Sequence, residues 1–195
     1  MIFGMMKNKI YISICFIVFS ILASSVNAME IAALMDGLSK NKHKKSNYLE
    51  TKHAFYLEKP LISEGTIEFR QPDILVKTTI KPHQLVQEYS NNSIRTIEGN
   101  GSESYLDLNS QPAIAILFKT ILGVITGDEK ILKKYFNIST IDHNVNWTLN
   151  LVPKEAYLKS WFKTIVVSGS HHNIKQIKIV EANDDMTIMD INEAR

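Results

Sequence analysis

Residues 61–82, LISEGTIEFRQPDILVKTTIKP, indicate the fold class of this chain. Polar and apolar residues alternate through Ile67 and Phe69, which predicts a β-strand that Pro72 ends. A second strand follows, and its alternation places four residues on one predicted face: Ile74, Val76, Thr78 and Ile80. The sequence thus predicts two strands joined by a sharp corner. What a sheet built in this way encloses depends on the rest of the chain.

The same two-residue period recurs along most of the remaining chain. Residues 49–57, 85–89 and 147–151 each place apolar side chains on one face of a predicted strand. Turn-forming residues separate the strands at intervals of about 8–12 residues, which is typical of an antiparallel sandwich or barrel. The sequence shows no internal repeat and no linker, so a single domain is predicted for residues 29–195.

An amphipathic helix is predicted for residues 31–40, before the first strand. It ends in the basic run KNKHKK, residues 40–45. Lysines at a helix carboxyl end suit the helix dipole and are usually solvated. A contact between this run and an acidic membrane surface or partner stays open.

Two further helices are predicted in the middle of the chain. The segment QPAIAILFKTILG, residues 111–123, has Pro112 in its first turn and Gly123 as a predicted C-cap. Only Lys119 is charged, and a helix this apolar is normally covered on more than one side. The next helix is predicted to begin at a capping box formed by Thr126 and Glu129.

Residues 1–28 are predicted to be a signal peptide. Lys7 and Lys9 form a positive amino-terminal region, residues 10–23 form an apolar core, and residues 26–28 offer a cleavage site with small residues. The apolar run is shorter than the roughly 20 residues that a transmembrane helix needs. Cleavage would leave a mature secreted chain beginning at Met29.

Loss of this segment changes the charge and the cysteine content. Of the 22 basic residues, Lys7 and Lys9 leave, so 20 remain against 20 acidic residues. A nearly neutral chain lacks the electrostatic basis of nucleic-acid binding. Cys15, the only cysteine, also leaves, so the mature domain is predicted to have no disulfide, no thiol nucleophile and no cysteine metal ligand.

The sequence predicts no catalytic residue, metal site or cofactor. His171 and His172 would point to opposite faces of a strand, and the residues around them predict a solvated turn. Asp184 and Asp185 fall in a predicted hairpin turn, a common place for carboxylates without a catalytic role. The motifs GxSxG and HExxH are absent.

Four features occur in a recognisable order along the chain. They are a G-x-x-x-F-x-x-P signature at residues 65–72, the central apolar helix, the segment GDEKILKKYF, and the strand WTLNLVP followed by a closing pair of strands. Together, from about residue 33 to residue 191, they resemble the LolA-like family of periplasmic outer-membrane lipoprotein carrier proteins.

The resemblance implies an α+β fold: an incomplete antiparallel β-barrel with short helices that form a lid over a hydrophobic cavity. The implied cavity residues are Phe55, Leu57, Ile67, Phe69, Tyr89, Trp147, Leu149 and Leu151. The implied lid residues are Ile114, Leu117, Phe118, Ile121 and Gln71.

Gln71 departs from the family pattern. The better-known carriers have an arginine directly before the proline of this signature, where it latches the lid by hydrogen bonding. A neutral amide makes a weaker latch than a charge-assisted donor. The departure predicts a looser lid or a different cargo, which is either a lipoprotein acyl chain or another amphiphile with an acyl or polyene chain.

The implied function is that of a monomeric, non-enzymatic carrier. It would take its cargo from an inner-membrane donor and deliver it to an outer-membrane acceptor. Two other functions stay open. One is a lipid-binding envelope sensor, which a stable complex with a membrane partner would reveal, and the other is a lipid-modifying hydrolase, which turnover of an ester would reveal.

Overall fold

The computed structural model describes residues 26–40, 44–90, 92–143 and 145–193. The helices in these ranges are α1 (Val26–Ser39), α2 (Pro112–Thr126), α3 (Glu129–Tyr135) and α4 (Ala156–Lys159), with a 3₁₀ turn at Leu108–Ser110. The strands are β1 (Lys44–His53), β2 (Leu61–Arg70), β3 (Ile74–Lys81), β4 (Leu85–Ser90), β5 (Ser93–Glu98), β6 (Glu103–Asp107), β7 (Phe136–His143), β8 (Asn146–Pro153), β9 (Phe162–Ser170), β10 (Asn173–Glu181) and β11 (Met186–Glu193). Within the described ranges, no helix has the length and apolar content needed to cross a membrane.

The strands form one antiparallel sheet in the order β6-β5-β4-β3-β2-β1-β11-β10-β9-β8-β7. The chain winds outward from β1 to β6, crosses through α2 and α3, and winds back from β7 to β11, which pairs with β1. The sheet is open, because β6 and β7 are its two edges. This confirms the predicted incomplete antiparallel barrel with short helices.

The sheet curves around α2. This helix shares one buried cluster with β8, β9 and β10, and another with β2 and β3. Four strands lie between β2 and β8, so in a flat sheet these two strands would be roughly 24 Å apart. That distance exceeds the diameter of a helix, about 10–12 Å. A concave face therefore explains why α2 is apolar on nearly all sides.

The predicted end of α2 is wrong. Gly123 lies inside the helix, which continues to Thr126, and the C-cap is Gly127 with a φ of 70°. A Cβ atom on Gly123 would lie 3.3 Å from a methyl group of Leu132 on α3. Gly123 therefore serves the close packing of α2 against α3, and Gly127 supplies the left-handed turn between them.

The predicted capping box of α3 is also wrong. The N-cap is Asp128, whose carboxylate accepts hydrogen bonds from two backbone N–H groups of the first turn. The Thr126 hydroxyl instead donates to the carbonyl oxygen of Leu122 at 2.8 Å, within α2. Threonine and aspartate both cap helices. Because Gly127 ends α2, the next residue, Asp128, becomes the N-cap of α3.

The first two elements differ from their predicted bounds. α1 begins at Val26, before the predicted mature start at Met29. The basic run, residues 40–45, does not simply end the helix, because Lys44 and Lys45 already belong to β1 and residues 41–43 lie outside the described ranges. On β1, the face that packs against its neighbours carries Tyr48, whereas Leu49 is exposed on the other face.

Candidate functional site

The strand register decides which side chains face α2. Phe69 on β2 pairs with Leu75 on β3, and Leu75 pairs with Tyr89 on β4. Paired residues of antiparallel strands project to the same face. With Ile67, they form one apolar row on the concave face. The structure thus brings together three of the predicted cavity residues and adds Leu75, which was not predicted to line the cavity.

The predicted lid residues of α2 all lie on the sheet side or against neighbouring helices. Phe118 is buried among Phe69, Leu75 and Tyr89, and its ring stacks on that of Tyr89 with 4.8 Å between centroids and 19° between planes. Ile121 packs against the clusters of both halves of the sheet. Leu117 packs against the larger cluster on β8–β10, and Ile114 packs against a third one, formed by Ile94, Leu108 and Ala115. The helix therefore fills the trough of the sheet.

Trp147, Leu149 and Leu151 lie on one face of β8, as predicted, and all three are buried. They share the largest cluster with apolar residues of α1, α2 and α3. The indole Nε1 of Trp147 donates to the carbonyl oxygen of His171 at 2.8 Å, which anchors the ring at the β9–β10 turn. With the helices in place, these side chains are core residues, and they would face a cavity only if the helices moved.

Phe55 and Leu57 do not line the concave face, which corrects their prediction. β1 ends at His53, so both residues lie in the β1–β2 loop, where the side chain of Phe55 is 83% exposed. The backbone N–H of Phe55 donates to the buried carboxylate of Asp185 at 3.0 Å. This bond turns the chain out of the ladder, so the two-residue period no longer predicts where the side chains point.

Gln71 is exposed in the turn between β2 and β3. In the described part of the chain, no side-chain hydrogen bond joins it to α2. Its neighbour Arg70 pairs with Glu68 on the outer face, with contacts of 2.8 and 3.0 Å. Apolar side chains of α2, among them Phe118 and Ile121, contact this half of the sheet instead.

A groove of about 830 Å³ lies on the concave face beyond the end of the apolar row. The side chains around it include polar residues that were not predicted from the sequence: Glu50, Ser63, Lys77, Thr79, Gln87 and Glu98. A charged residue at an inward position of a strand, such as Lys77 between Leu75 and Thr79, is the signal that could have shown this groove. That signal becomes visible only once the face of β3 is known.

A glycine lies beside this groove, next to Thr79 in the sheet. Gly65 on β2 lies between Tyr48 on β1 and Thr79 on β3 in the ladder. Because Gly65 has no side chain, the Tyr48 hydroxyl reaches across to Thr79 Oγ1 at 2.7 Å. A Cβ atom on Gly65 would also lie only 1.9 Å from the carbonyl oxygen of Thr78. The Tyr48–Thr79 hydrogen bond and the close approach of the Thr78 carbonyl oxygen both depend on glycine at this position.

An ion pair between β1 and β3 lies in the same part of the sheet. Lys77 Nζ lies 2.8 Å from each carboxylate oxygen of Glu50, and 4.9 Å from the centre of the Tyr48 ring. Ser63 Oγ donates to Glu50 Oε1 at 3.3 Å. The two charged side chains are only 16% and 19% exposed, so this pair is far less solvated than the pairs on the outer face. Each charge is compensated by the other.

The apolar row and the groove also interact electrostatically. Burial first, and then the negative charge of Glu50 and the neighbouring Tyr48, raise the pKa of Tyr89 to about 12. Burial also raises the pKa of Tyr48, and the charge of Glu50 adds to this rise. Both phenols therefore stay neutral at physiological pH. Tyr89 marks the boundary between the apolar row under α2 and the polar groove.

The other candidate residues lie apart from this face. His171 has a φ of 53° in the β9–β10 turn, and the ring of His172 lies against Gly37 of α1. Asp184 lies in the β10–β11 turn and pairs with Lys163, whereas Asp185 holds the β1–β2 loop. Within the described residues, no group of three histidine, cysteine or acidic side chains is placed to hold a metal ion.

One protein family matches the chain over most of its length. Its model, described as outer membrane lipoprotein carrier protein LolA-like, matches residues 23–190. The matched range contains all of α1–α4 and of β1–β10. A comparison with curated proteins finds no match.

Solved structures with a similar fold come from several bacteria. A LolA superfamily protein from Nitrosomonas europaea has 9% identity, with 88% of this chain and 94% of that chain covered and a TM-score of 0.46. A DUF1329 family protein from Desulfovibrio piger has 8% identity, coverage of 84% and 89%, and a TM-score of 0.45. A putative outer membrane lipoprotein-sorting protein domain from Vibrio parahaemolyticus has 11% identity, coverage of 85% and 90%, and a TM-score of 0.44.

Proposed function

The chain belongs to the LolA-like family of outer membrane lipoprotein carrier proteins, and on that premise we propose that it carries an acyl chain in the trough that α2 now fills. The cargo is a lipoprotein acyl chain or a related amphiphile with an acyl or polyene chain. The carrier takes it from an inner-membrane donor and passes it to an outer-membrane acceptor. Its work is binding and release, without covalent chemistry.

The observation that supports this most is the position of α2. One helix occupies the space between two apolar clusters on opposite halves of a curved sheet. If α2 moves away, Phe69, Leu75 and Tyr89 on one side and Leu149 on the other become the walls of an apolar trough. An acyl chain that enters replaces contacts of the same kind.

This exchange explains how a carrier could release its cargo. Burial of a CH₂ group stabilises by about 0.8 kcal/mol, so a chain of roughly 14 methylenes could gain on the order of 11 kcal/mol. The full gain would hold the cargo too tightly for transfer. Displacement of α2 removes buried contacts of Phe118, Ile121 and Leu117, and that cost lowers the net affinity so that an acceptor can compete.

The periplasm is the proposed compartment. Residues 1–28 would be removed on export, and the carrier would begin at Met29 without an attached lipid. Intact mass of the protein from a periplasmic extract measures this directly. A chain that keeps its amino terminus in the membrane fraction would contradict it.

A cross-link between α2 and the sheet tests the proposed movement. Cys15 is the only cysteine of the chain and lies in the proposed signal peptide, so cysteines at positions 89 and 118 would be unique. These two positions carry the stacked rings of Tyr89 and Phe118. A short bifunctional maleimide joins them in the Tyr89→Cys, Phe118→Cys variant, and binding is measured with the fluorescent methyl ester of parinaric acid.

The cross-linked protein should bind the probe at least tenfold more weakly than the same variant before cross-linking. The single variants, Tyr89→Cys and Phe118→Cys, control for modification of one cysteine by the reagent. Equal binding before and after cross-linking would show that the chain does not enter under α2. Failure of the wild-type protein to bind any acyl probe would overturn the carrier function itself.

A further inference from the structure

The concave face changes from apolar to polar along the same strands. Under α2 it carries Phe69, Leu75 and Tyr89. Two residues further along β3 and β4, on the same face, it carries Lys77 and Gln87, which line the groove. The trough under the helix and the groove of about 830 Å³ are therefore consecutive parts of one surface. A molecule that fits both parts is apolar at one end and polar at the other.

The charges of the groove limit what its polar end can be. Both carboxylate oxygens of Glu50 already accept from Lys77, and Ser63 donates to the same carboxylate. A second carboxylate, that of Glu98, lies at the exposed mouth. An anionic head would have to compete with Glu50 for Lys77 and would pass Glu98. A cationic head would have to compete with Lys77 for Glu50, and either exchange leaves a poorly solvated charge without its partner.

An uncharged head avoids this cost. The hydroxyl of Ser63 and the amide of Gln87, both half-buried, can donate to or accept from ester, amide and hydroxyl groups. The ammonium group of Lys77 can also donate to a carbonyl oxygen while it stays beside Glu50. The volume of the groove lies within the range of small-molecule sites, about 300–1,000 Å³.

We propose that this groove binds the uncharged polar head, made of ester, amide or hydroxyl groups, of the amphiphile whose acyl chain lies under α2. The inference rests on the proposed function and names the class of its cargo. Glu50 and Lys77 act as a specificity-determining pair. While they neutralise each other, they admit a neutral head and disfavour a charged one of either sign.

Three amphiphiles with the same saturated chain separate these classes: monomyristoylglycerol, myristate and tetradecyltrimethylammonium. Each is titrated, below its micelle concentration, against the mature protein loaded with the methyl ester of parinaric acid. The wild-type protein should bind monomyristoylglycerol about tenfold more tightly than either charged amphiphile, because each charged head disrupts one charge-assisted hydrogen bond of the pair.

Charge variants test the role of the pair. Glu50→Gln frees the ammonium group of Lys77, so myristate should gain about tenfold relative to monomyristoylglycerol. Lys77→Gln frees Glu50, so tetradecyltrimethylammonium should gain by the same factor. The double swap, Glu50→Lys with Lys77→Glu, rebuilds the pair in reverse and should restore the preference for the neutral head.

Glu103→Gln is the matched control. It removes the carboxylate of an exposed pair, at 2.7 Å, between Glu103 on the edge strand β6 and Arg95 on β5, and should leave all three affinities unchanged. Unchanged preferences in Glu50→Gln and Lys77→Gln would overturn the inference, although the wild-type affinity for the probe would still support the carrier function. Equal loss of all ligands in both variants, not restored by the swap, would show a purely structural pair and would also overturn it. Absence of probe binding in the wild-type protein would overturn both proposals.

Discussion

Truncation of Phe118 separates a displaceable helix from a permanently packed one. In the structure this ring packs against the sheet: it stacks on Tyr89 and is buried with Phe69 and Leu75. Phe118→Ala should lower the free energy of unfolding by about 3–5 kcal/mol, the usual range for a buried phenylalanine. A loss of 3 kcal/mol from the docked state alone raises the undocked fraction of α2 about a hundredfold.

The two consequences are measured on the same protein. Chemical denaturation gives the loss of stability, and stopped-flow fluorescence gives the rate at which the methyl ester of parinaric acid enters and leaves. If α2 must move for the chain to enter, Phe118→Ala should exchange the probe faster than wild type, by up to a hundredfold. Its affinity for the probe should hold or increase, despite the lower stability.

Leu158→Ala is the control for lost stability alone. Leu158 is fully buried in α4, which packs against β8 and β9, so its truncation should cost about 2–5 kcal/mol. It should leave the exchange rate of the probe unchanged. If Phe118→Ala exchanges the probe no faster than Leu158→Ala, α2 is a fixed part of the core and does not move for the chain to enter.

Three further results are expected. Gly65→Ala should lower stability by about 1–3 kcal/mol or more in chemical denaturation, because its Cβ atom would lie 1.9 Å from the carbonyl oxygen of Thr78. Asp185→Ala should cost about 1–3 kcal/mol, because the backbone N–H of Phe55 loses its acceptor, and hydrogen exchange at that amide should become faster. The contribution of Tyr89 to the free energy of unfolding should be fully present below pH 10. It should decrease by roughly 2–3 kcal/mol as the pH rises to 12, because burial raises the pKa of Tyr89 to about 12 in the folded protein.

Each of these results has its own control. A Cβ atom at Gly101 would meet no atom within 4 Å, and only the φ of 88° disfavours a side chain there. Gly101→Ala should therefore lower stability less than Gly65→Ala. Asp184→Ala changes the neighbouring, exposed carboxylate and should leave exchange at Phe55 unchanged. Tyr89→Phe should flatten the loss of stability above pH 10, and an unchanged slope would mean that another group titrates there.

Strict alternation made part of the concave face predictable. Trp147, Leu149 and Leu151 alternate with polar or exposed residues, so only one face of β8 can be buried. On β3 the same rule fails, because Leu75 and Val76 are both buried and belong to opposite faces. The pairing of Phe69 with Leu75 decides the face, and pairing cannot be obtained from one strand alone.

The polar groove could not be predicted from the sequence for the same reason, because it depends on strand pairing. Glu50 and Lys77 are 27 residues apart, and they meet across β2, the strand that pairs with both β1 and β3. The end of α2 was predicted wrongly for a similar reason, within a shorter segment. Gly123 and Gly127 both suit a C-cap, and only packing against α3 shows which one is used.

Displacement of α2 by a bound acyl chain is measured by a distance across the sheet. Spin labels at Lys119, exposed on α2, and at Val152, on the outer face of β8, report the separation of helix and sheet by double electron–electron resonance. With saturating monomyristoylglycerol, the distance should increase by about 10 Å, since α2 must move by roughly its own diameter to admit a chain. An unchanged distance at saturating, confirmed ligand occupancy would show that α2 is not displaced by the cargo, contrary to the proposed carrier mechanism.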